Sequence, residues 1–442
     1  MRRPQRVLII VQNLPVPLDR RVWLECQALV RAGYAVSVIC PRGPGDARRQ
    51  HLDGVDLYKY SPPPEARGFL SYAWEFAYCC VRTAVLSLVA YRAAPFRVIQ
   101  ACNPPDTYWL LALLWGRLGV RFVFDQHDLN PELFASRFGA PTSRAQRVQY
   151  AGLRWLERMT YRVADRVIST NESYRAIAMG RGGREGADVT VVRSGPDTHR
   201  MRPVVPGATL PPDTEHLLVY LGVMGPQDDA DVVLAVMDEL VHRRGRNRVR
   251  AALLGFGDCL EELKRTATRL GLDDHVEFTG RVGPDGVAAW LSAADVGVCP
   301  DLKTPLNDVS TMNKTMEYMA YCLPSVTFDL VETRVSAADT AFYVPSRDVA
   351  AFASAVERLL DDPDLRARMG AAARERVVAE LDWRPQAQRY LEVFDDLLRD
   401  GVALESSPLP DSPPPPEGRE YVPLDDPESL ATYIRTRGRV RM

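Results

Sequence analysis

Short hydrophobic runs alternate with longer amphipathic stretches along most of this chain. Strands that alternate with helices predict parallel sheets with crossover helices, and hence an α/β fold. The strand-like runs cover 6–11, 34–40, 97–101, 121–124, 166–170, 189–192, 217–221, 249–254, 276–279, 296–299 and 325–328. The helical patterns cover 20–32, 69–91, 107–116, 146–163, 231–243, 259–270, 286–293 and 311–321.

The pattern stops at a Pro-rich segment, 203–212, and then starts again, which indicates two domains. We predict two Rossmann-like, doubly wound parallel sheets, over 1–204 and 205–380. In such sheets ligands bind beyond the carboxyl ends of the strands, so two facing domains would enclose a cleft. A helix over 381–402 is expected to cross back to the first domain. The Pro-rich tail, 403–442, is expected to be mostly disordered.

The composition excludes some classes of function. A net charge of -2 gives no global reason to expect nucleic acid as a partner. The eight cysteines show no Cys-x-x-Cys spacing, which indicates reduced thiols and a cytoplasmic protein. The charged start of the chain runs directly into a strand-like segment, so we expect no signal peptide.

The segment 69–91 is almost continuously apolar and aromatic. Three interpretations stay open: a helix buried in the domain, a helix lying on a membrane surface, and a helix that spans a bilayer. The charges of Glu75 and Arg82 near its middle disfavour the spanning interpretation. The surface interpretation makes peripheral contact with the inner face of the cell membrane an expectation.

The helix predicted over 311–321 concentrates polar side chains on one face. Asn313 and Glu317 are four residues apart, Lys314 lies beside them, and Ser310 or Thr311 can cap the helix. A carboxylate on a helix can accept hydrogen bonds from a ribose diol, while an ammonium and a helix N-terminus favour a diphosphate. The alternative is a solvated helix face on which Glu317 pairs with Lys314.

Two loops of the first domain carry further candidates. His127 and Asp128 follow a strand, where an imidazole can orient a sugar hydroxyl; alternatively, Asp128 caps a helix and His127 serves the same helix start. After the first strand, Asp19 can cap a helix, and Arg20 and Arg21 point either to a phosphate or to solvent. The acceptor-side or phosphate-binding candidates are Asn13, Asp19, Arg20 and Arg21.

Several matches in the second half occur in one order: Gly255-Phe256-Gly257-Asp258 after a strand, then 276–280, then 293–295, then 348–370. These segments resemble the group 1, family 4 glycosyltransferases of the GT-B fold, and the resemblance covers about 5–400. It implies two Rossmann-like domains facing across a cleft. It also implies a retaining hexosyltransferase that uses a nucleotide sugar.

The resemblance assigns roles to particular residues. A Glu-x7-Glu motif of the family binds the donor, and its second Glu corresponds to Glu317. The first falls at Val309, so Asp308 or the backbone amides of Val309, Ser310, Thr311 and Met312 would replace it. A His in the position of His127 reaches the donor sugar. Further donor-binding candidates are Gly225, Gly255, Gly257, Arg281, Asn313 and Lys314.

The family also places an Arg and a Lys after the first strand of the second domain, and the turn 222–229 has neither. Lys314 is therefore the leading candidate to neutralise the diphosphate. Arg193, Lys303 and Arg334 are the alternatives.

Together these features predict transfer of a hexosyl-type sugar from a nucleotide sugar to a hydroxyl of a lipid-linked or polysaccharide acceptor. His127, Asp128 and Glu317 are the catalytic candidates. We expect no cofactor and no metal, since no Asp-x-Asp follows a strand. The rival hypotheses are a sugar-nucleotide epimerase and a catalytically silent nucleotide-sugar-binding subunit of a glycan-assembly complex.

Overall fold

The computed structural model describes residues 4–63, 69–205, 208–398, 420–424 and 426–437, without the side chains of 69–73. The chain divides into two compact units. Unit 1 comprises Met1–Ser194 and Arg384–Asp411, and unit 2 comprises Gly195–Trp383 and Ser412–Met442.

Unit 1 is built on an eight-stranded sheet in the order β3-β4-β2-β1-β5-β6-β7-β8. All neighbours are parallel except β3 and β4, which form an antiparallel hairpin. The strands are β1 (Arg6–Ile10), β2 (Ala35–Pro41), β3 (Arg49–Leu52), β4 (Val55–Tyr60), β5 (Val98–Cys102), β6 (Arg121–Gln126), β7 (Arg166–Ser169) and β8 (Val189–Val191).

The helices of unit 1 connect these parallel strands. They are α1 (Arg20–Arg31), α2 (Phe69–Ala93), α3 (Trp109–Gly116), α4 (Asn130–Phe138), α5 (Arg144–Val163) and α6 (Glu172–Gly180). The helix α14 (Trp383–Leu398) belongs to the same unit from Arg384 onwards. Its Tyr390 and Phe394 are fully buried, and Phe394 packs on the ring of Tyr34 just after α1.

Unit 2 contains a six-stranded parallel sheet in the order β12-β11-β10-β13-β14-β15. The chain order reverses between β10 and β13, and ligands of doubly wound sheets bind at such a switch point. The strands are β10 (His216–Leu221), β11 (Val249–Leu254), β12 (Val276–Gly280), β13 (Val296–Cys299), β14 (Ser325–Phe328) and β15 (Ala341–Val344).

Helices cover both faces of this sheet, with separate hydrophobic cores on either side. They are α7 (Asp231–Asp238), α8 (Leu260–Arg269), α9 (Pro284–Ala293), α10 (Asn313–Ala320), α11 (Val331–Ala337), α12 (Val349–Asp361) and α13 (Pro363–Arg376). Wider helical turns extend α7 over Glu239–Arg243 and α13 over Val377–Leu381. The predicted pair of doubly wound parallel sheets is confirmed.

The tail differs from its expectation where the structure describes it. The strand β16 (Glu420–Tyr421) pairs antiparallel with β9 (Val204–Val205), and the helix α15 (Pro427–Thr436) packs on α13. Ile434 is fully buried, and the Tyr433 hydroxyl donates to the Ser292 carbonyl. A disordered tail is therefore wrong for 420–424 and 426–437, because the few apolar residues there are spaced to bury one helix face. The Pro-rich stretch 408–417 lies outside the described residues.

The helix α2 packs on unit 1 through one stripe only. Its segment Trp74–Ala93 is long and apolar enough to cross a bilayer by length and composition, yet only 22% of its most apolar stretch is buried. Cys79, Thr83, Ser87 and Ala90 form the buried stripe. The structure therefore corrects the interpretation of 69–91 as a fully buried helix.

Candidate functional site

Two loops of unit 2 meet beyond the carboxyl ends of β10 and β11. The Met224 amide donates to the Phe256 carbonyl over 2.8 Å, and the Cys259 amide donates to the Met224 carbonyl over 2.9 Å. Gly255 and Gly257 have φ of +148° and +155°, and a Cβ on Gly255 would lie 1.8 Å from the Gly222 carbonyl oxygen. These two glycines are thus required for close packing of the loops, a role independent of any ligand.

Lys314 lies in the first turn of α10, directly beneath the turn that follows β10. A Cβ on Gly222 would be 3.3 Å from its Cε, and its ammonium lies 5.1 Å from the centre of the Tyr220 ring. The ammonium donates to Asp301 Oδ1 over 2.6 Å, and both side chains are buried. Burial alone would lower the pKa of Lys314, but the Asp301 carboxylate outweighs it and raises that pKa. Lys314 is therefore charged, and its charge is balanced within unit 2.

The start of α10 differs from the expectation of a Ser or Thr cap. The helix begins at Asn313, and its N-cap residue, Met312, makes no capping hydrogen bond through its side chain. The Ser310 hydroxyl instead donates to the Leu306 carbonyl over 2.8 Å. Glu317 lies one turn into the helix and is half-buried, on the same side as the exposed Asn313. The N-cap residue of α10 thus contributes no side-chain hydrogen bond to the amides of the first turn.

Asp308 contacts the start of α11 and a neighbouring lysine. Its Oδ1 accepts from the Val331 amide over 2.9 Å and lies 3.3 Å from the ammonium of Lys303. Its carboxylate therefore stabilises the start of α11. Arg334, another candidate cation, pairs with Asp329 and stacks on the Tyr343 ring.

A network of charges fills the carboxyl end of the sheet in unit 1. The Arg21 guanidinium donates to Asp125 Oδ1 over 3.1 Å and lies 3.0 Å from Glu25 Oε1. It also donates to the Val192 carbonyl and to the Ser194 hydroxyl, each over 2.9 Å. Arg21 is thus turned into the domain and points neither to solvent nor to an external phosphate, which corrects both interpretations of this residue.

His127 is held by the same network. Its Nε2 lies 2.8 Å from Asp125 Oδ2 and 3.1 Å from Arg21 Nε. Burial lowers the pKa of His127, but the Asp125 carboxylate outweighs it, so the net shift is upward. Burial also raises the pKa of Asp125, and the charges of His127 and Arg21 outweigh it and hold that pKa well below its usual range. The ring is therefore oriented by one carboxylate, which also raises its pKa.

Glu25 is the residue of this network whose carboxyl group has a raised pKa. It is fully buried, and burial together with the nearby Asp125 charge raises its pKa to about 8. Gln100 connects it to Asp125, because the Gln100 amide nitrogen lies 2.8 Å from Glu25 Oε2 and from Asp125 Oδ2. The Tyr390 hydroxyl of α14 donates to the other end of the Gln100 amide over 2.5 Å. A neutral Glu25 lets one guanidinium balance Asp125.

The same residues meet the distance criterion for a metal site. Ligand atoms of Glu25, Cys102, Asp125 and His127 all lie within 4.8 Å of one another. The guanidinium of Arg21 already contacts three of these four side chains. The positive charge of Arg21 thus lies where these four residues would attract a metal cation. The four residues therefore do not fit a metal site.

Asn103 shapes the loop that carries His127. Its Oδ1 accepts from the His127 amide over 2.7 Å and from the Asp128 amide over 3.1 Å. The N-cap residue of α4 is Leu129, so Asp128 is not the cap that the alternative interpretation required. Burial raises the pKa of Asp128. The Asn103 side chain therefore fixes the backbone at His127 and Asp128.

Comparison with known proteins fits this arrangement. A model of "Glycosyl transferase 4-like domain" matches residues 18–211, and a model of "Glycosyl transferases group 1" matches residues 215–362. The chain is a group 1, family 4 glycosyltransferase. The enzyme is therefore a retaining, nucleotide-sugar-dependent hexosyltransferase of the GT-B fold.

Relatives of this glycosyltransferase have several acceptors in their names. It is 29% identical to a D-inositol 3-phosphate glycosyltransferase of Catenulispora acidiphila, over 67% of this chain and 71% of that one. It is 26% identical to a GDP-mannose-dependent alpha-(1-6)-phosphatidylinositol monomannoside mannosyltransferase of Mycobacterium tuberculosis, over 76% and 97% of the two chains. A solved sucrose-phosphate synthase of Thermosynechococcus elongatus shares the fold, with a TM-score of 0.71, 19% identity and coverage of 89% and 99%.

The remaining candidates of the glycosyltransferase lie at loop surfaces. Asp19 caps α1 by accepting from the Val22 amide over 3.1 Å, as predicted. Asn13 is exposed in the turn before α1, and Arg20, the first residue of α1, is half-buried. Arg281 is exposed and lies over the ring of the exposed Phe256, 5.7 Å from its centre. Arg281 thus lies beside the glycine loop that follows β11, in which Phe256 stands between Gly255 and Gly257.

Sequence reasoning missed the partners of the candidate residues. Asp301, Glu25, Gln100 and Tyr390 were not singled out, although each contacts or supports a candidate. Glu25 is four residues after Arg21, a spacing that pairs side chains on a helix and could have indicated the ion pair. Asp301 follows a strand end, which is where polar ligands of such sheets collect.

Proposed function

We propose that this enzyme transfers a hexosyl sugar to a hydroxyl of a lipid-linked or growing polysaccharide acceptor at the cytoplasmic face of a membrane. The proposal rests chiefly on one observation. Lys314 and Glu317 project from a single helix, α10, at the switch point of the sheet in unit 2, beside the loop turn after β10.

In the proposed donor site, Glu317 accepts hydrogen bonds from the ribose diol. Lys314 and the backbone amides at the start of α10 face the diphosphate. Arg281, Gly225 and the loop around Gly255 and Gly257 line the remainder of the site. His127, oriented by Asp125, contacts the donor sugar, and Asp128 lies beside it in the same loop.

The proposed reaction keeps the anomeric configuration without a covalent enzyme intermediate. The acceptor hydroxyl approaches the anomeric carbon on the face from which the phosphate departs. The carbon–oxygen bond to the diphosphate breaks as the bond to the acceptor oxygen forms. The departing phosphate oxygen takes the acceptor proton. Lys314 and the α10 amides stabilise the charge that develops on the leaving group, and no metal is required.

Two observations favour a lipid-linked acceptor. The names of the relatives include a phosphatidylinositol mannoside among their acceptors. The helix α2 turns Trp74, Val81, Val85 and Leu88 outward, as a helix that lies on a membrane surface would. A lipid-linked acceptor is reached most directly by an enzyme whose first domain contacts the bilayer.

The test begins with a panel of nucleotide sugars, each added to the purified full chain. Specific binding raises the apparent melting temperature by mass action. The nucleotide sugar that stabilises the protein is then supplied with a radiolabelled sugar and a membrane lipid extract. Label that moves into the lipid fraction, together with release of nucleoside diphosphate, supports the proposal.

Other outcomes point to the rival functions. Conversion of the donor into an epimer without an acceptor would indicate an epimerase. Donor binding without any release of nucleoside diphosphate, whichever acceptor is offered, would indicate a silent subunit. The substitution of Val309 for the first acid of the motif and the pairing of Lys314 with Asp301 make this second outcome worth testing directly.

A further inference from the structure

The outward side of α2 is apolar over most of its described length. Trp74, Val81, Val85 and Leu88 are spaced by seven, four and three residues, which places them on one side of the helix. Between 47% and 66% of each of these residues is exposed. The opposite stripe, which includes Cys79 and Ala90, packs in the core of unit 1. This helix thus has two apolar sides, and among the described residues of unit 1 only the side with Cys79 and Ala90 is packed against a partner.

The helix α3 continues this apolar side. Leu110, Leu113, Leu114 and Leu118 are exposed, while Trp115 is buried. The Trp115 ring nitrogen donates to the Ser87 hydroxyl of α2 over 3.1 Å, so the two helices lie side by side. Four exposed leucines within nine residues form an unusually large apolar patch for a soluble surface.

The helix α5 lies in the same layer. Its Trp155 packs edge-on against Trp109 of α3, with the ring centres 5.7 Å apart. The strands β4, β5, β6 and β7 are parallel, and the connections from each to the next all run in one direction across the sheet. Right-handed crossovers in one direction place their helices on one face of the sheet. The outward sides of α2, α3 and α5 therefore form one continuous surface, here called the outer helical face.

The α5 part of this face is cationic. Its exposed positions include Val148 and Trp155 among a row of arginines. That row consists of Arg144, Arg147, Arg154, Arg158 and Arg162. Within the part of the chain that the structure describes, Arg154, Arg158 and Arg162 form no salt bridge.

The acids of these helices do not neutralise the arginines. Glu157 is buried and pairs with Arg181 of unit 1 over 2.6 Å. Glu75 is half-buried, and burial raises its pKa. Among the described positions of α2, α3 and α5, every fully exposed charge is positive.

We propose that the outer helical face docks on a bilayer that contains anionic phospholipids, with the side chains of α2 and α3 entering the interface and the α5 arginines pairing with lipid phosphates. This deepens the proposed function, because it names the surface and the lipid charge that would bring the enzyme to its acceptor. Exposed leucine, valine and tryptophan beside a row of arginines is the pattern of interfacial helices. A polybasic row adds attraction to a negative membrane surface.

Charge complementarity selects this occupant over a protein. A protein partner would have to match both a broad leucine surface and five separate arginines, whereas an anionic bilayer offers mobile phosphates above hydrocarbon at every point. The long guanidinium side chains can reach the headgroups while the apolar residues between them enter the interface.

The experiment is sedimentation of the full chain with vesicles. Pure phosphatidylcholine vesicles are compared with vesicles that also contain phosphatidylglycerol, at low and high salt. We expect binding to the anionic vesicles only, weakened by salt because surface charges are screened. The triple variant Arg154→Gln, Arg158→Gln, Arg162→Gln should bind at least about tenfold more weakly. The variant Val81→Ser, Val85→Ser, Leu88→Ser should bind weakly at every salt concentration.

A matched control changes Lys264, Arg265 and Arg269 to Gln, since these are three exposed cations on one helix of unit 2. This variant should bind anionic vesicles like the unchanged protein. Equal binding by the α5 and α8 variants, or binding that ignores lipid charge, would overturn the proposal. Retention of the protein in membranes after carbonate extraction would overturn it too, by indicating a spanning helix.

Donor binding separates this proposal from the proposed function. Each variant should keep the thermal shift that the preferred nucleotide sugar produces, because the substituted residues lie outside the donor loops. Vesicle binding without any sugar transfer would support the docking surface and contradict the proposed lipid acceptor. Sugar transfer to lipid by a protein that does not bind anionic vesicles would support the acceptor and contradict the docking surface.

Discussion

Asp301 and Lys314 form a buried ion pair, with the Lys314 ammonium 2.6 Å from Asp301 Oδ1. The residue expected to neutralise the leaving diphosphate is therefore already balanced by a carboxylate. The second oxygen of Asp301 is buried and has no hydrogen-bond partner among the residues that the structure describes. This pair makes the stability of unit 2 and the binding of the donor depend on the same lysine.

The first prediction separates these two effects. Lys314→Met should destabilise unit 2 by roughly 3–5 kcal/mol, because it leaves a buried carboxylate unpaired. The double variant Asp301→Asn, Lys314→Met should recover most of this loss in urea unfolding. Both variants should bind the nucleoside diphosphate at least about tenfold more weakly, since one charge-assisted contact is lost. Restored diphosphate binding in the double variant would remove Lys314 from the donor site.

Glu317 gives a second prediction. Glu317→Ala should weaken nucleotide binding by roughly a hundredfold, because hydrogen bonds to a charged group contribute about 1.5–3 kcal/mol each. The affinity of Glu317→Gln should lie between those of the unchanged protein and the Ala variant, since the amide oxygen of Gln can still accept a hydrogen bond. Titration calorimetry with the nucleoside diphosphate measures both.

The control for Glu317 is Glu262→Ala on α8. Glu262 is likewise an acid on a helix; it is exposed and pairs with Arg265 three residues later. We expect its substitution to leave the affinity unchanged. If Glu317→Ala behaves like this control, Glu317 does not bind the ribose.

The sequence predicts most strands of this protein because their hydrophobic runs are bounded by polar turns. The predicted strands at 249–254, 296–299 and 325–328 coincide with β11, β13 and β14. The hairpin of β3 and β4 was missed because its first strand, Arg49–Leu52, is polar and mostly exposed. A signal was present, since Asp53 and Gly54 both have positive φ and Asp-Gly favours such turns.

Side-chain pairing in the candidate site was less predictable. The sequence identifies Lys314 and His127 as polar residues near strand ends, but the partners are set by tertiary packing. Asp301 is 13 residues before Lys314, and Arg21 is 106 residues before His127. No periodicity links such positions, so the contacts of Arg21 with Asp125 and His127 could not be predicted from the sequence at the start of α1.

The third prediction concerns pH. The folded pKa of Glu25 is raised to about 8, so the folded protein holds a proton there that the unfolded chain releases near its ordinary pKa of 4.5. This contribution to stability is complete below pH 4.5 and is lost as pH rises towards 8. The raised pKa of His127 acts in the same direction above the ordinary value of 6.5.

In the variant Glu25→Gln, the free energy of unfolding should therefore decrease less between pH 5 and 8 than it does in the unchanged protein. One group changes the free energy of unfolding by at most about 1.4 kcal/mol per pH unit. Urea unfolding at several pH values measures the difference, which should grow with pH in favour of the variant. A difference that stays constant across this range would show that Glu25 is ionised in the folded protein.

The fourth prediction tests the helix in the tail. Ile434 is fully buried against Cys322 and Ala367, and a Cβ on Gly370 would lie 3.2 Å from its Cγ2. Ile434→Ala should destabilise unit 2 by about 2–5 kcal/mol, since a large buried side chain is removed and the site cannot fully collapse. Glu428→Ala, at an exposed position of the same helix, should change stability by less than about 0.5 kcal/mol. Equal, small effects of both substitutions on the urea midpoint would show that α15 does not dock on α13, whereas a loss confined to Ile434 would make the tail an integral part of unit 2.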